Sequence, residues 1–433
     1  MEDKKTIILF SFIATVFVTF VVLVVNDYTQ IKVIPLLVVC VMILCAAFFN
    51  LKDFSNKKYF TLFIFLFIIK FVLLCYQSVN KNLPMGGVDW WNYNRFALDI
   101  LENENSIIDF LLYDGELFSK GVAVIYYIFG HSIELIYFYV FATSLFAQLF
   151  IYKTVYLLTN NKNTAQKISL LWMVWPIAFI FSITYLREIP IQFLFAASFY
   201  FFVLFIKQKR FYNFIICVIF VILATLAHSG MIAVLISYLL IWATSSKRLS
   251  KWLRIGFGIA CFVVLLTLPV GQQMIQKFGG AEDVEDVIAF QDKLSFGNTD
   301  YIGDIPDNTS GFIMQIPYRF VMFSLSPLPW QIYDFNTLIA LIVDGLLQLY
   351  IFFLLFRWTF KYKPANEFAS VFKKSFIIVL LATYFVFSLG TNNYGTAMRH
   401  RAKILPMIIL LIPLVSNKQS NTLYIKQNNK KYE

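Results

Sequence analysis

Charged residues are scarce in this chain. Asp, Glu, Lys and Arg together make up 14% of its 433 residues, whereas a soluble domain has about 25%. Hydrophobic residues make up 59%, and 49 Phe and 24 Tyr are far too many aromatic side chains for a chain that stays unfolded. The composition therefore excludes a soluble protein and a disordered one, and it predicts a helical membrane protein.

Cysteine and histidine are also rare. The five cysteines fall in apolar runs without metal-type spacing, so we interpret them as small apolar side chains of the membrane interior. The three histidines come from separate turns, and we assign them no metal. The predicted cytoplasmic side has no glycine-rich phosphate loop, so an ATP or nucleotide-sugar site there has no support.

Apolar runs of about 17–21 residues predict an all-α, polytopic protein with twelve membrane helices. The even number places both termini on one side of the membrane. Residues 1–416 are predicted to form a single membrane domain, followed by a basic tail at 417–433. The predicted spans are 7–25, 33–49, 59–76, 132–152, 168–184, 189–206, 212–227, 229–244, 255–272, 336–356, 375–390 and 402–416.

The positions of the charges predict the orientation. The two tails and the alternate loops carry 24 of the 36 Lys and Arg residues and five of the 25 acidic ones. Because basic residues accumulate on the cytoplasmic side, both termini are predicted to be cytoplasmic. The formal charge of +11 follows from this asymmetry, so it does not indicate a nucleic-acid partner.

Two loops are long, 77–121 and 273–335, and both are predicted to be external. Irregular backbone must lie outside the hydrocarbon, so large external loops favour an enzyme of the outer leaflet over a transporter. Residues 89–101 are predicted to form a helix. The stretches 122–129 and 312–325 are too short or too interrupted to span, which suits interfacial or re-entrant helices.

Asp89 is the first candidate catalytic residue. It follows Gly86-Gly87-Val88 and opens the predicted helix, so it suits either an N-cap or a catalytic carboxylate at the membrane surface. The two roles are compatible, because a capping carboxylate is held rigidly. Tyr93 lies four residues on, on the same helical face.

Three external turns supply candidate binding residues. A guanidinium at Arg187 matches a lipid phosphate, or closes the turn with Glu188 as a local ion pair. His228 occupies a second turn. Basic residues are disfavoured on this side, so the cluster of Arg399, His400 and Arg401 indicates an anion at the lipid surface or pairing with the acidic loops.

Acidic residues offer a candidate cation site. The acidic side chains between 282 and 307 are either oxygen ligands of a divalent cation or part of a solvated loop. They are Glu282, Asp283, Glu285, Asp286, Asp300, Asp304 and Asp307. No cofactor follows from this pattern. Lys70 and Asp344 lie within spans, where charge is costly, and are functional candidates for that reason.

The order of these features resembles bacterial GT-C glycosyltransferases of the protein-mannosyltransferase and lipid-A aminoarabinose-transferase kind. The similar segments are Asp89, Tyr93 and Ala97, then Lys120-Gly121 to Ser132, Pro176 with Leu186-Arg187-Glu188, Ser326-Pro327-Leu328-Pro329-Trp330, and Arg399-His400-Arg401 with Pro406. Three predicted spans precede Asp89 here, two more than in the family, whose Asp usually follows the first span. Trp90 stands where many members have a second acidic residue.

The resemblance implies a cell-membrane enzyme with an extracytoplasmic active face. The donor would be a sugar on polyprenyl phosphate, undecaprenyl if the protein is bacterial, and the acceptor a growing glycan, a lipid-linked oligosaccharide or a wall polymer. Asp89 would act as general base. The residues implied in substrate binding are Tyr93, Arg187, Glu188, His228, Arg399, His400 and Arg401.

Two alternatives stay open. The segment from Arg187 to the His228–Ser229 turn is also similar to EpsG- and Wzy-type polysaccharide polymerases, which join lipid-linked oligosaccharide repeat units. A flippase or transporter of lipid-linked sugars belongs to another class. It predicts polar residues lining the spans, whereas here they cluster in external turns.

Overall fold

The computed structural model describes residues 40–44, 46, 56–81, 89–113, 115–245, 256, 300–301, 309–364 and 366–416. This part of the chain is helical, and its only extended pairing is an isolated bridge between Asp300 and Asn393. The all-α class is therefore confirmed for these residues. The predicted spans 7–25, most of 33–49 and nearly all of 255–272, most of the loop from 273 to 308, and the tail lie outside them.

The described residues form a series of helices. In chain order they are α1 (Lys57–Asn80), α2 (Asp89–Asn103), α3 (Ile107–Leu112), α4 (Leu117–Phe129), α5 (Ile133–Thr159), α6 (Lys162–Val174), α7 (Pro176–Phe181), α8 (Glu188–Gln208), α9 (Phe211–Ala227), α10 (Ile232–Ser245), α11 (Thr309–Leu325), α12 (Phe335–Ala340), α13 (Leu346–Lys361), α14 (Glu367–Leu389), α15 (Tyr394–Lys403), α16 (Leu405–Ile408) and α17 (Leu411–Ser416). A π-helical segment, Leu341–Gly345, joins α12 to α13.

In the described part of the chain, five helical segments are long and apolar enough to cross a membrane. They are Lys57–Asn80, Ile133–Thr159, Glu188–Gln208, Thr337–Lys361 and Glu367–Leu389. Each coincides with a predicted span, and the helix predicted at 89–101 is confirmed as α2. The chain is therefore a membrane protein with several spans, while the total of twelve stays a prediction.

Proline interrupts two of the other predicted spans. The run 168–184 is broken, because α6 ends at Val174 and Pro176 starts α7. Proline has no N–H to donate and favours the first helical position. The run 402–416 is divided likewise into α16, which contains Pro406, and α17.

The chain divides into two compact units, and the first comprises Met1–Tyr156 and Asn161–Phe193. In it α1 packs against α6, and α2 against α4. Phe71 of α1 meets Phe138 and Phe141 of α5 at ring distances of 6.0 and 6.2 Å. The charged Lys70 is buried beside this aromatic contact.

The second unit comprises Leu157–Asn160 and Leu194–Glu433. Helices α10 and α11 pack on α14, and α13 packs on α17. Phe199 of α8 contacts Phe372 and Phe376 of α14 at 6.4 and 6.3 Å. Asn366 and Asn393 cap α14 and α15, each accepting a backbone N–H at 2.8 Å.

Candidate functional site

The predicted site residues fall in both compact units. Asp89, Tyr93, Arg187 and Glu188 belong to the first unit, and the residues of the second are His228, Arg399, His400 and Arg401. Each group is described by itself. We call the first the Arg187 cluster, defined as Asp89, Tyr93, Glu116 and Arg187, and the second the histidine cluster, defined as His228, Thr391, Arg399 and His400.

Helix α2 positions two members of the Arg187 cluster. Asp89 is the first residue of the helix, where a negative charge is favoured by the exposed N–H groups and the helix dipole. Tyr93 lies one turn further along the same face and is buried. The carboxylate and the tyrosine ring are therefore held by one rigid element.

Arg187 lies in the turn between α7 and α8 and faces α2. Its guanidinium carbon is 5.6 Å from the centre of the Tyr93 ring, which is within the range of a cation–π contact. Its Nη1 atom forms an ion pair with Glu116 Oε2 at 2.6 Å. The structure thus brings Arg187 and Tyr93 together and adds Glu116, which the sequence patterns did not indicate.

Aromatic residues pack against Tyr93 of the Arg187 cluster. Phe118 packs edge-on against Tyr93 at 5.1 Å and against Tyr185 at 6.0 Å, and Tyr185 in turn meets Tyr137 at 5.9 Å. Burial raises the pKa of the Tyr185 hydroxyl well above its usual range. A neutral Tyr185 hydroxyl is therefore part of the aromatic layer next to Tyr93.

Polar contacts continue along the same unit. The Tyr126 hydroxyl donates to Asn94 Oδ1 at 2.8 Å, and His131 Nε2 lies 3.3 Å from the same oxygen. Lys81 Nζ lies 5.3 Å from the Trp90 ring and 3.9 Å from Glu134 Oε1. A second cation thus lies beside the residue that follows Asp89.

Glu188 is 1% exposed and is the first residue of α8. A carboxylate there complements the helix N-terminus. This location gives Glu188 a local role in starting the helix, next to the arginine that we expect to bind substrate.

The histidine cluster brings together two residues that are distant in sequence. The rings of His228 and His400 lie 4.9 Å apart, and Phe387 contacts both, at 5.5 and 4.9 Å. Gly230 is required beside them, because a Cβ atom there would lie 3.3 Å from His228 Cε1 and overlap the Phe387 ring. The predicted turn at His228 and the basic cluster at His400 are thus in contact.

The hydrogen bonds define how His400 is held. The Thr391 hydroxyl donates to the Phe387 carbonyl at 2.7 Å and lies 2.9 Å from His400 Nδ1. If the hydroxyl proton points to this carbonyl, the imidazole donates from Nδ1 to Thr391 and carries its lone pair on Nε2.

Arg401 has a different environment from its neighbours. Its guanidinium is fully buried and forms an ion pair with Asp344 of the π-helical segment. It also donates to the carbonyls of Phe323 and Ser326. Arg399 is half-buried on α15. Of the two arginines expected to contact an anion, Arg399 is the one with solvent access in this structure.

Sequence patterns missed a second buried cation. Arg319 of α11 is 0% exposed and donates to Asn392 Oδ1 at 2.9 Å. Burial raises the pKa of the nearby Tyr301 hydroxyl, against the opposing effect of Arg401 and Arg319. A basic residue inside the apolar stretch 312–325, on a side where basic residues are disfavoured, was the signal available.

The described part of the chain holds no group of three or more His, Cys, Asp or Glu side chains that could bind a metal ion. Of the acidic stretch considered for a divalent cation, only Asp300 is described, and its backbone pairs with Asn393. The other acidic residues, from 282 to 307, lie outside the described residues.

The fold and the two clusters are those of a helical membrane protein with polar side chains grouped at helix ends. Residues 121–271 match the sequence model of the family described as dolichyl-phosphate-mannose-protein mannosyltransferase. The resemblance to that family is confirmed over this segment, which includes Arg187 and His228 and excludes Asp89 and residues 399–401. No curated protein and no solved structure matches the chain. The match and the apolar helices support a membrane glycosyltransferase of the GT-C type.

Proposed function

We propose that this protein transfers a sugar from a polyprenyl-phosphate donor to an acceptor hydroxyl at the outer face of the cell membrane, in surface glycan assembly. The observation that carries the proposal is the Arg187 cluster, in which a guanidinium lies over Tyr93 one helical turn from Asp89. The family match supports the lipid-phosphate donor class. The charge asymmetry of the twelve predicted spans supports the outer face.

The reaction needs an anion site and a base. The acceptor oxygen attacks the anomeric carbon, the bond from that carbon to the phosphate oxygen breaks, and the phosphate leaves with the electron pair. Arg187 binds the phosphate and stabilises the charge that grows on it. Asp89 accepts the proton of the acceptor hydroxyl as general base. Inversion at the anomeric carbon is the expected outcome of one displacement.

We assign the histidine cluster to substrate binding as well. Arg399 offers charge to an anionic group, and His228 and His400 offer hydrogen bonds to sugar or acceptor hydroxyls. Arg401 contributes by holding α15 through Asp344. Glu188 contributes by starting α8 next to Arg187.

Replacement of Asp89 tests the proposal. Because a general base contributes about 10²–10⁴-fold, we expect Asp89→Asn to lower kcat at least 100-fold in a transfer assay with a labelled lipid-linked sugar. The thermal midpoint should stay near that of the unchanged protein. The matched control is Asp99→Asn, which makes the same change at the exposed far end of α2 and should keep its activity.

The alternatives give different results in the same strains. Full activity and normal glycan chain length in Asp89→Asn would rule out the general base. Loss of chain length with the single repeat unit still made would favour the polymerase, which depends more on the arginines than on Asp89. Movement of the labelled lipid across a reconstituted bilayer without transfer would favour a flippase.

A further inference from the structure

We propose that Glu116 occupies the phosphate-binding side of Arg187 in the donor-free protein and that the donor phosphate replaces it there. Glu116 would thereby influence the affinity for the donor headgroup, because the headgroup must displace a negatively charged side chain. The inference rests on the proposed function, which places the phosphate at Arg187. It adds a residue for which neither the sequence motifs nor the family match supplies a role.

Glu116 is in the usual position of a helix cap but does not act as one. It is the N-cap residue of α4, where an acidic side chain commonly accepts a backbone N–H of its own helix. No such side-chain bond forms here. The carboxylate instead reaches Arg187, in the turn before α8, at 2.6 Å. The Glu116 side chain therefore contacts a residue distant in sequence instead of capping its own helix.

The turn that precedes α4 presents Glu116 in this direction. Gly115 has a φ of +142°, a backbone angle that residues other than glycine rarely adopt. A Cβ atom at Gly115 would also overlap the Phe96 ring of α2. The backbone angle and the lack of space for a side chain both favour glycine at position 115. The turn beside Glu116 therefore packs closely against the helix that carries Asp89.

Arg187 keeps a second support when Glu116 leaves. Its guanidinium lies over the Tyr93 ring, and this contact can persist while its N–H groups bind oxygen atoms. The Arg187 side chain is 17% exposed, and that of Glu116 is 43% exposed. The carboxylate can therefore turn into water while the arginine stays in place.

Carboxylate and phosphate oxygens compete for the same donors. Both match the paired N–H groups of a guanidinium. The phosphate of the donor is a diester with one negative charge, equal to that of Glu116, and a partly exposed ion pair contributes little free energy, so the exchange costs little. When the sugar leaves, the phosphate becomes a monoester with a charge of about −1.5 to −2 at pH 7, which Arg187 then favours over Glu116.

The test measures binding without turnover. The full chain, purified in detergent, is titrated with undecaprenyl phosphate, the lipid phosphate that the proposed transfer releases, and the dissociation constant is read by isothermal calorimetry. We expect Glu116→Gln to lower Kd roughly two- to fivefold, as removal of a partly exposed competing charge should. The matched control is Glu102→Gln, an exposed glutamate of α2 in the same unit, which should leave Kd unchanged.

Arg187→Gln completes the set. It should weaken binding, and adding Glu116→Gln in that background should have no further effect. A merely structural Glu116 would instead lower the thermal midpoint in Glu116→Gln and leave Kd equal or higher. That result, with binding still dependent on Arg187, overturns this inference and leaves the donor site intact. Absence of binding in every variant, the unchanged protein included, overturns both the inference and the proposed lipid-phosphate site at Arg187.

Discussion

At the scale of single residues, ion pairs and cation–π contacts account for the charges that the membrane-spanning part buries. Asp344 pairs with Arg401, which also donates to two main-chain carbonyls. Lys70 lies 5.7 Å from the Trp172 ring and 5.4 Å from the Phe179 ring, on either side of the break between α6 and α7. Asp344 and Arg401 neutralise each other, whereas Lys70 contacts aromatic rings and no carboxylate of the described chain. Removal of the charge of Asp344 should therefore lower stability, and removal of the charge of Lys70 should raise it.

Asp344→Asn should destabilise the protein. It leaves the guanidinium of Arg401 buried without its counter-charge, which costs about 3–5 kcal/mol when one partner of a buried pair is removed. The measurement is the midpoint of thermal unfolding in detergent, with the exposed Glu367→Gln as control. The double change Asp344→Leu with Arg401→Met should recover much of the loss. An unchanged midpoint in Asp344→Asn would contradict the structural role of the pair.

Lys70→Met should raise the thermal midpoint. The side chain is 1% exposed, and no carboxylate of the described chain lies within ion-pair distance of its ammonium group. Burial of a charge without a counter-ion is costly, and methionine fills similar space without charge. Lys58→Met, at an exposed position of the same helix, is the control and should have little effect. A fall in the midpoint would contradict this and show that the contacts with the Trp172 and Phe179 rings outweigh the cost of burying the charge.

At the scale of elements, α15 connects the histidine cluster to the buried pair. It carries Arg399 and His400 and ends beside Pro406. Asn393 starts it by accepting the N–H of Thr396 at 2.8 Å, and Asn393 also pairs with Asp300. The orientation of three predicted site residues, including Arg401, therefore depends on one helix start.

Asn393→Ala and Asn366→Ala form a matched pair. Each removes an asparagine N-cap bond of 2.8 Å, and each should cost about 0.5–2 kcal/mol of stability. Only Asn393→Ala should also raise the KM for the lipid-linked donor, because α15 carries Arg399 and His400. The thermal midpoint and the transfer kinetics are measured together. Equal KM values in the two variants would contradict the role of α15 in binding.

Interrupted helices are the elements that composition described least well. The run 168–184 is continuously apolar apart from Ser169, Ser182 and Thr184, yet it forms α6 and α7 with Trp175 between them. Apolar content reports the preference for lipid and not the continuity of the hydrogen bonds. In a membrane, the freed backbone groups at such a break must find partners in neighbouring helices or polar side chains.

At the scale of the whole molecule, orientation can be tested directly. Single cysteines are introduced at Glu102 and Lys363, both exposed, in a chain whose own cysteines are replaced by alanine. In intact cells, a membrane-impermeant maleimide should label the cysteine at 102, in the predicted external loop. It should not label the one at 363 until the membrane is opened. The reverse pattern would place the Arg187 cluster on the cytoplasmic side and exclude the proposed outer-face reaction.

Sequence alone determined the membrane class, five spans and the helix that begins at Asp89. These features depend on composition and on neighbours within a few residues, which periodicity and capping rules report directly. Only the tertiary structure decided which partners the charges have. Arg187 meets Glu116, His228 meets His400, and Arg401 meets Asp344, 57 residues away. Helical patterns carry no information about contacts between distant helices, because packing decides which buried faces meet.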